Sequence, residues 1–109
     1  MKGKIVLVPF PFTDLTVAKL RPALVIYEAE KDAVVAFISS KIPNELSEPD
    51  ILIKKLHPSF RKTGLKVDSV IKLDKIATVL KELIVGEIGE VDEVLKLEIN
   101  QKLGKLMVV

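Results

Sequence analysis

Residues 22–39 read Pro-Ala-Leu-Val-Ile-Tyr-Glu-Ala-Glu-Lys-Asp-Ala-Val-Val-Ala-Phe-Ile-Ser. Two runs of branched and aromatic residues, Pro22–Glu28 and Ala33–Ser39, flank the polar stretch Glu30-Lys31-Asp32, and this pattern predicts a β-hairpin. Working outward, Lys4–Phe10 and Ile51–Lys54 have the same strand character. Asp68–Asp74 is a fifth candidate strand, in which alternation places Ile71 and Leu73 on one face and Lys72 and Asp74 on the other. Ile76–Val79 and Ile84–Glu87 are shorter candidates. Val91–Met107 reads as a single substantial helix, with Val91, Leu95, Ile99, Leu103 and Leu106 forming a stripe toward the core. Glu98 and Lys102 fall within that stripe as an i,i+4 pair, and Leu97 lies outside it on an edge that is exposed or shared with a partner.

Many short strands followed by one helix predict a mainly β fold, a small and strongly curved antiparallel β-barrel with a C-terminal α-helix. The 109 residues are expected to form one domain spanning 1–109. The first three strands are apolar on both faces, whereas a barrel buries one face of each strand. The terminal helix or a second subunit must cover the outside, which is a physical argument for a homodimer.

Composition narrows the function classes. With 49% hydrophobic and 29% charged residues the chain can build a core, so disorder is excluded. The absence of Cys removes disulfide scaffolds, zinc ribbons and thiol catalysis. One His and no HExxH or EF-hand spacing argue against metal-dependent chemistry, so no cofactor and no metal are expected. The apolar run Ile5–Phe12 is short and interrupted by Pro9 and Pro11, which fits neither a membrane span nor a signal-peptide core, and a cytoplasmic protein is expected.

The formal net charge of +2 hides segregation. Residues 51–81 carry Lys54, Lys55, Arg61, Lys62, Lys66, Lys72, Lys75 and Lys81 against Asp68 and Asp74. Residues 1–27 are also basic, with Lys2, Lys4, Lys19 and Arg21 against Asp14, while the two intervening and terminal stretches are acidic. If the basic stretches meet in the fold they form a face suited to a polyanion.

Taken in order, several segments resemble the MazF/PemK family of type II toxins, the mRNA interferases. The resemblance rests on Gly3-Lys4-Ile5-Val6-Leu7-Val8, Phe10-Pro11-Phe12-Thr13-Asp14, Arg21-Pro22-Ala23-Leu24-Val25-Ile26 and Phe37-Ile38-Ser39-Ser40. It continues through Gly64-Leu65, Asp68-Ser69-Val70-Ile71-Lys72-Leu73-Asp74, Ala77-Thr78-Val79 and Ile88-Gly89. It implies an SH3-like barrel dimer of CcdB/PemK type that acts as a metal-independent endoribonuclease on single-stranded RNA or mRNA. A cognate acidic antitoxin would neutralise it.

Cutting RNA without a metal requires activation of the 2′-OH, stabilisation of a pentacoordinate phosphorane and protonation of the 5′-oxygen. The products are then a 2′,3′-cyclic phosphate and a 5′-OH, and DNA, lacking the nucleophile, is not a substrate. The resemblance puts Arg21 at the family's Arg-Pro position, where a fork of donors that stays charged suits transition-state phosphate oxygens. It puts Ser39 where the family usually has Thr, a hydroxyl able to donate to a phosphate oxygen. Lys72 and Asp74 take the place of an Arg and Asp that act as acid and base in plasmid members; here Asp74 is the expected acceptor for the 2′-OH and Lys72 a phosphate contact. For RNA binding the candidates are Phe12, Thr13 and Lys19 in the 11–20 loop, Ser40, and Lys54, Lys55, Arg61, Lys62 and Lys66 along the basic segment. Phe60 reads rather as a plug at the barrel end, and His57, without a located partner, as a loop residue. Two other readings share the fold: a CcdB-like gyrase poison, disfavoured by a C-terminus without Trp, and a catalytically inactive binding dimer.

Overall fold

Branched residues in the first part of the chain form three long antiparallel strands, β1 (Lys4–Pro11), β2 (Ala18–Glu28) and β3 (Asp32–Ser39). The predicted hairpin joins β2 to β3, with the Ala29 N–H donating to Asp32 O at 2.9 Å across its turn. The computed structural model describes residues 1–11 and 18–109. β4 (Asp50–Ile53), a one-turn helix α1 (Phe60–Thr63), β5 (Ser69–Leu80), β6 (Gly86–Glu90) and helix α2 (Glu93–Leu106) follow. β5 is longer than the sequence pattern indicates, absorbing both Asp68–Asp74 and Ile76–Val79. The strands form one antiparallel sheet of six in the order β4-β5-β3-β2-β1-β6.

This order forces the sheet to curl. β5 and β6 are consecutive in sequence yet lie four strand spacings apart, about 19 Å in a flat sheet. The link between Leu80 and Gly86 contains a 3-10 turn at Lys81–Leu83 and reaches only roughly 16 Å. Lys81 N–H donates to Lys31 O at 2.8 Å at one end of the link, and Val85 N–H to Leu7 O at 2.9 Å at the other. Glu28 holds the near end as well, with Lys81 Nζ at 2.6 Å and the N-terminal ammonium at 3.0 Å. Lys81 first, then the N-terminal ammonium, keeps the Glu28 carboxyl below its ordinary range.

Both faces of the curled sheet are apolar, and each finds cover. On the inner face Ile5, Leu24, Ile38, Ile51, Ile53, Ile71 and Leu73 pack with Val91, Leu95 and Ile99 of the α2 region. Ile71 and Leu73 thus share the core face, as their alternation requires. On the opposite face Val6, Val8, Ala23, Val25, Ala33 and Val35 form a second buried cluster, closed by Phe37, Val79 and Ile84. Ile84 belongs to the crossing link, so the chain itself covers the face for which the sequence argument needed a helix or a second subunit. A second subunit is not needed to cover that cluster.

The two sheet edges, β4 and β6, do not pair with each other, and α1 packs against β6. Its Phe60 packs against the inner core, as expected of a plug. Gly64 caps α1 in the left-handed region at φ 73°, and an added Cβ there would stand 1.9 Å from Ile88 O. Gly89 of β6 approaches from the other side, where a Cβ would lie 2.3 Å from Thr63 O. Backbone meets backbone at this seam, which only glycine permits.

Helix α2 begins at Asp92, whose carboxylate accepts the Leu95 N–H at 3.0 Å. That backbone bond, the largest cause, draws the Asp92 carboxyl below its usual range, so the cap keeps its charge into acidic solution. Leu103 and Leu106 extend the stripe as partly buried residues, and Leu97 is exposed. Lys102 does not close on Glu98 as its spacing suggests; its Nζ donates to Glu48 O at 3.0 Å and Asp50 O at 2.8 Å, tying α2 to the start of β4. Among the described residues no helix is long and apolar enough to cross a membrane.

Candidate active site

The register of three strands determines which side chains share the outer face. Val8 lies opposite Arg21, Val6 opposite Ala23, and Ala23 opposite Phe37. Side chains alternate along a strand, so Arg21 projects on the face of Ala23, and Ser39 on that of Phe37. Beyond the end of the second apolar cluster, Arg21 and Ser39 line one cavity of about 250 Å³ together with Phe10, Phe37, Ile38, Lys41 and Lys75. Phe10 and Phe37 meet edge to face, with ring centroids 4.8 Å apart at 84°, a rigid apolar wall beside the polar groups.

Each polar group has a definite posture. Arg21 is half-buried near the start of β2. Ser39 ends β3, and its Oγ accepts the Lys41 N–H at 3.0 Å, so the turn fixes the hydroxyl while leaving its proton to donate. Lys41 and Lys75 are exposed at the cavity rim and, among the described residues, join no ion pair. No carboxylate appears among the described lining residues. Three cationic side chains and one hydroxyl therefore line the cavity among the described residues, an arrangement suited to a phosphodiester.

Lys72 and Asp74 are not brought to this cavity. β5 pairs with β3 at Ile38–Ile71 and again at Ala36–Ile76, so residues 72–75 form a bulge without partners on β3 opposite Phe37. β4 takes up the first of them: Asp50 lies opposite Lys72, and Leu73 N–H donates to Pro49 O at 3.0 Å. Lys72 Nζ sits 3.3 Å from Asp50 Oδ1, the Asp50 side chain being 2% exposed, and Ser47 N–H donates to Asp50 Oδ2 at 2.9 Å. Lys72 is therefore the counter-charge of a buried carboxylate. Asp74 is exposed and does not line the cavity.

The RNA-binding candidates separate similarly. Phe12 and Thr13 lie outside the described residues. Lys19 is exposed opposite Phe10 and shares the Arg21 face of β2, and Ser40 is exposed directly after β3. Lys54, Lys55, Arg61, Lys62 and Lys66 are all exposed but follow the α1 seam rather than the cavity. Within that segment Lys55 N–H donates to Asp68 Oδ1 at 2.7 Å, and His57 Nδ1 accepts the Ser59 N–H at 3.0 Å as a local turn device. Among the described residues no three His, Asp or Glu side chains gather as metal ligands would.

A family model described as "PemK-like, MazF-like toxin of type II toxin-antitoxin system" matches residues 1–107. No protein of curated function matches the chain by sequence. Among solved structures, the chain resembles an endoribonuclease in complex with its cognate antitoxin from a mycobacterial species, at 14% identity and TM-score 0.73, covering 98% of this chain and 93% of that one. It also resembles the Mycobacterium tuberculosis toxin MazF-mt6, at 16% identity and TM-score 0.72, covering 94% of this chain and 93% of that one. An endoribonuclease from a mycobacterial species matches at 16% identity and TM-score 0.69, covering 98% of this chain and 89% of that one. At such identities the likeness establishes the fold: a curled antiparallel sheet with a C-terminal helix.

Proposed function

Because the chain belongs to the PemK-like, MazF-like toxins of type II toxin–antitoxin systems, we propose that the Arg21–Ser39 cavity is the active centre of an endoribonuclease acting on single-stranded RNA. The observation that carries this reading is the meeting of Arg21 and Ser39, distant in sequence, in one cationic cavity. The solved endoribonucleases of the same fold support it by analogy.

The substrate supplies the nucleophile. As the 2′-oxygen bonds to phosphorus, the bond to the 5′-oxygen breaks; the hydroxyl proton leaves to solvent and the 5′-oxygen takes one up. A 2′,3′-cyclic phosphate and a 5′-OH remain. Arg21 places its guanidinium fork on the phosphoryl oxygens, where negative charge grows in the phosphorane, and Ser39 donates a hydrogen bond to the same group. Phe10 and Phe37 offer a surface on which an unstacked base can rest.

Incubating the protein with long single-stranded RNA in EDTA tests the reading. Discrete fragments ending in cyclic phosphate are expected, with no cleavage where 2′-deoxynucleotides replace the ribonucleotides. Intact RNA, or cleavage of an all-DNA strand, would overturn it.

A cognate antitoxin and a homodimer belong to the same proposal. A cationic cavity suits an acidic segment that folds on binding, and one mycobacterial relative is solved with its antitoxin. Leu80, Leu83 and Val85 lie exposed along the link that crosses the outer face, giving a second copy apolar surface to cover. Sedimentation equilibrium should return twice the chain mass, and a monomer across the micromolar range would remove the dimer from the account.

A further inference from the structure

We infer that Lys75, flanked by Lys41, is the second catalytic cation at the scissile phosphate, in the place the family resemblance gives to residue 72. The inference rests on the ribonuclease reading of the cavity and names a group within it.

Lys72 has another task. Its ammonium neutralises the Asp50 carboxylate at 3.3 Å, a group almost wholly removed from water whose other oxygen is held by the Ser47 N–H. Swinging Lys72 toward a substrate would strand a buried charge without its partner, which the fold opposes. Direct opposition of Asp50 and Lys72 across the β4–β5 ladder keeps the pair in register.

Lys75 is placed differently. Strict alternation from Ile71 and Leu73 would turn it inward, but the sheet register is broken there: β5 leaves β3 after Ile71 and rejoins it at Ile76. This bulge in β5 brings Lys75 to the cavity that holds Arg21, Ser39 and Lys41. Lys41 is anchored by its own N–H on the Ser39 Oγ at 3.0 Å, so that cation and that hydroxyl approach the cavity from one turn.

Charge counting explains what such a cation contributes. A phosphodiester carries one negative charge, and the phosphorane formed by 2′-oxygen attack carries close to two. A cation beyond the one that binds the ground state is therefore worth more in the transition state than in the bound substrate. Lys41 and Lys75 stand on the same cavity as Arg21, so a second and a third cationic side chain are at hand as that second charge develops. Lys75 acts through its ammonium on a non-bridging oxygen and transfers no proton.

The test compares Lys75→Ala, Lys75→Arg and Lys72→Ala with the unaltered protein and Arg21→Ala, measuring kcat, KM and thermal unfolding with a fluorescent single-stranded RNA. For Lys75→Ala we expect kcat to fall about 10- to 100-fold with KM nearly constant and Tm unchanged, and Lys75→Arg to recover most of the loss. For Lys72→Ala we expect a lowered Tm and a smaller loss of kcat than in Lys75→Ala. Full kcat in Lys75→Ala, or a kcat loss in Lys72→Ala that exceeds it at unchanged Tm, would overturn the assignment while leaving the ribonuclease reading intact. RNA left whole by the unaltered protein would instead remove that reading, and this assignment with it.

Discussion

Arg21→Ala is expected to lower the rate of RNA cleavage at least a hundredfold, on the order of 3 kcal/mol of transition-state stabilisation, without unfolding the protein. The fork of Arg21 reaches a cavity lined also by a serine, an isoleucine, two lysines and an aromatic pair, with no other guanidinium among the described lining residues. Arg21→Lys should recover only part of the rate, because an ammonium keeps the charge but loses the bidentate geometry. Ser39→Ala removes one hydrogen-bond donor and is expected to cost less, about tenfold to a hundredfold. Arg21 is half-buried near the start of β2, outside both apolar clusters, so the shift in Tm for its substitution should stay within a few degrees. Steady-state kinetics on a fluorescent RNA, run beside thermal unfolding, checks both parts.

Gly89→Ala should have the largest effect on stability. Its added methyl would stand 2.3 Å from the Thr63 carbonyl carbon and oxygen and 2.4 Å from Lys62 O, all backbone atoms that no rotamer change can move. Gly64→Ala attacks the same seam from the other side, 1.9 Å from Ile88 O and at a φ that L-residues avoid. Either change must pull α1 away from β6. A loss of about 3 kcal/mol or more is expected, which for a domain of this size lowers Tm by roughly 10 °C or more. Gly104→Ala is the matched control: it lies inside α2 with open space around it, and the change should raise Tm slightly through helix propensity. Calorimetry of the three variants decides the matter, and an unchanged Tm in Gly89→Ala would contradict the seam.

Much of this architecture was legible in the chain. The hairpin around Glu30-Lys31-Asp32 follows from two branched, apolar runs on either side of a polar turn, and the stripe from Val91 to Leu106 from helical periodicity. The doubly apolar strands signalled that both faces needed cover. The covering residue, Ile84, could not be identified because it sits in a short link whose path depends on sheet curvature. Helix α1 and the 3-10 turn at Lys81–Leu83 are too short to carry a period. The i,i+4 spacing of Glu98 and Lys102 suggested a local pair, but carbonyls at Glu48 and Asp50 offered Lys102 a tertiary anchor that no local rule contains.

The site divides along the same line. Arg21 and Ser39 were found through their motif positions, and strand parity then explains why they share a face. Lys72 and Asp74 were read as one cleft-facing pair because they alternate with Ile71 and Leu73. That reading omitted Asp50, whose burial opposite Lys72 emerges only when β4 docks. Lys75 was hidden by the same rule in reverse, since its parity matches two core residues and only the skipped register lifts it outward. Lys41 had a faint signal in Ser39-Ser40-Lys41, a turn in which the lysine follows the candidate hydroxyl by two positions.

The central claim is that Arg21 and Ser39 act on one phosphodiester, and a double-mutant cycle measures this. Single-turnover cleavage rates for Arg21→Ala, Ser39→Ala and the double variant, on one RNA of fixed sequence, give the coupling between the two side chains. The account predicts a double variant clearly faster than the product of the two single losses, because removing the first group misplaces the phosphate for the second. Strictly multiplicative losses would contradict it: they would mean that the guanidinium and the hydroxyl work at separate places.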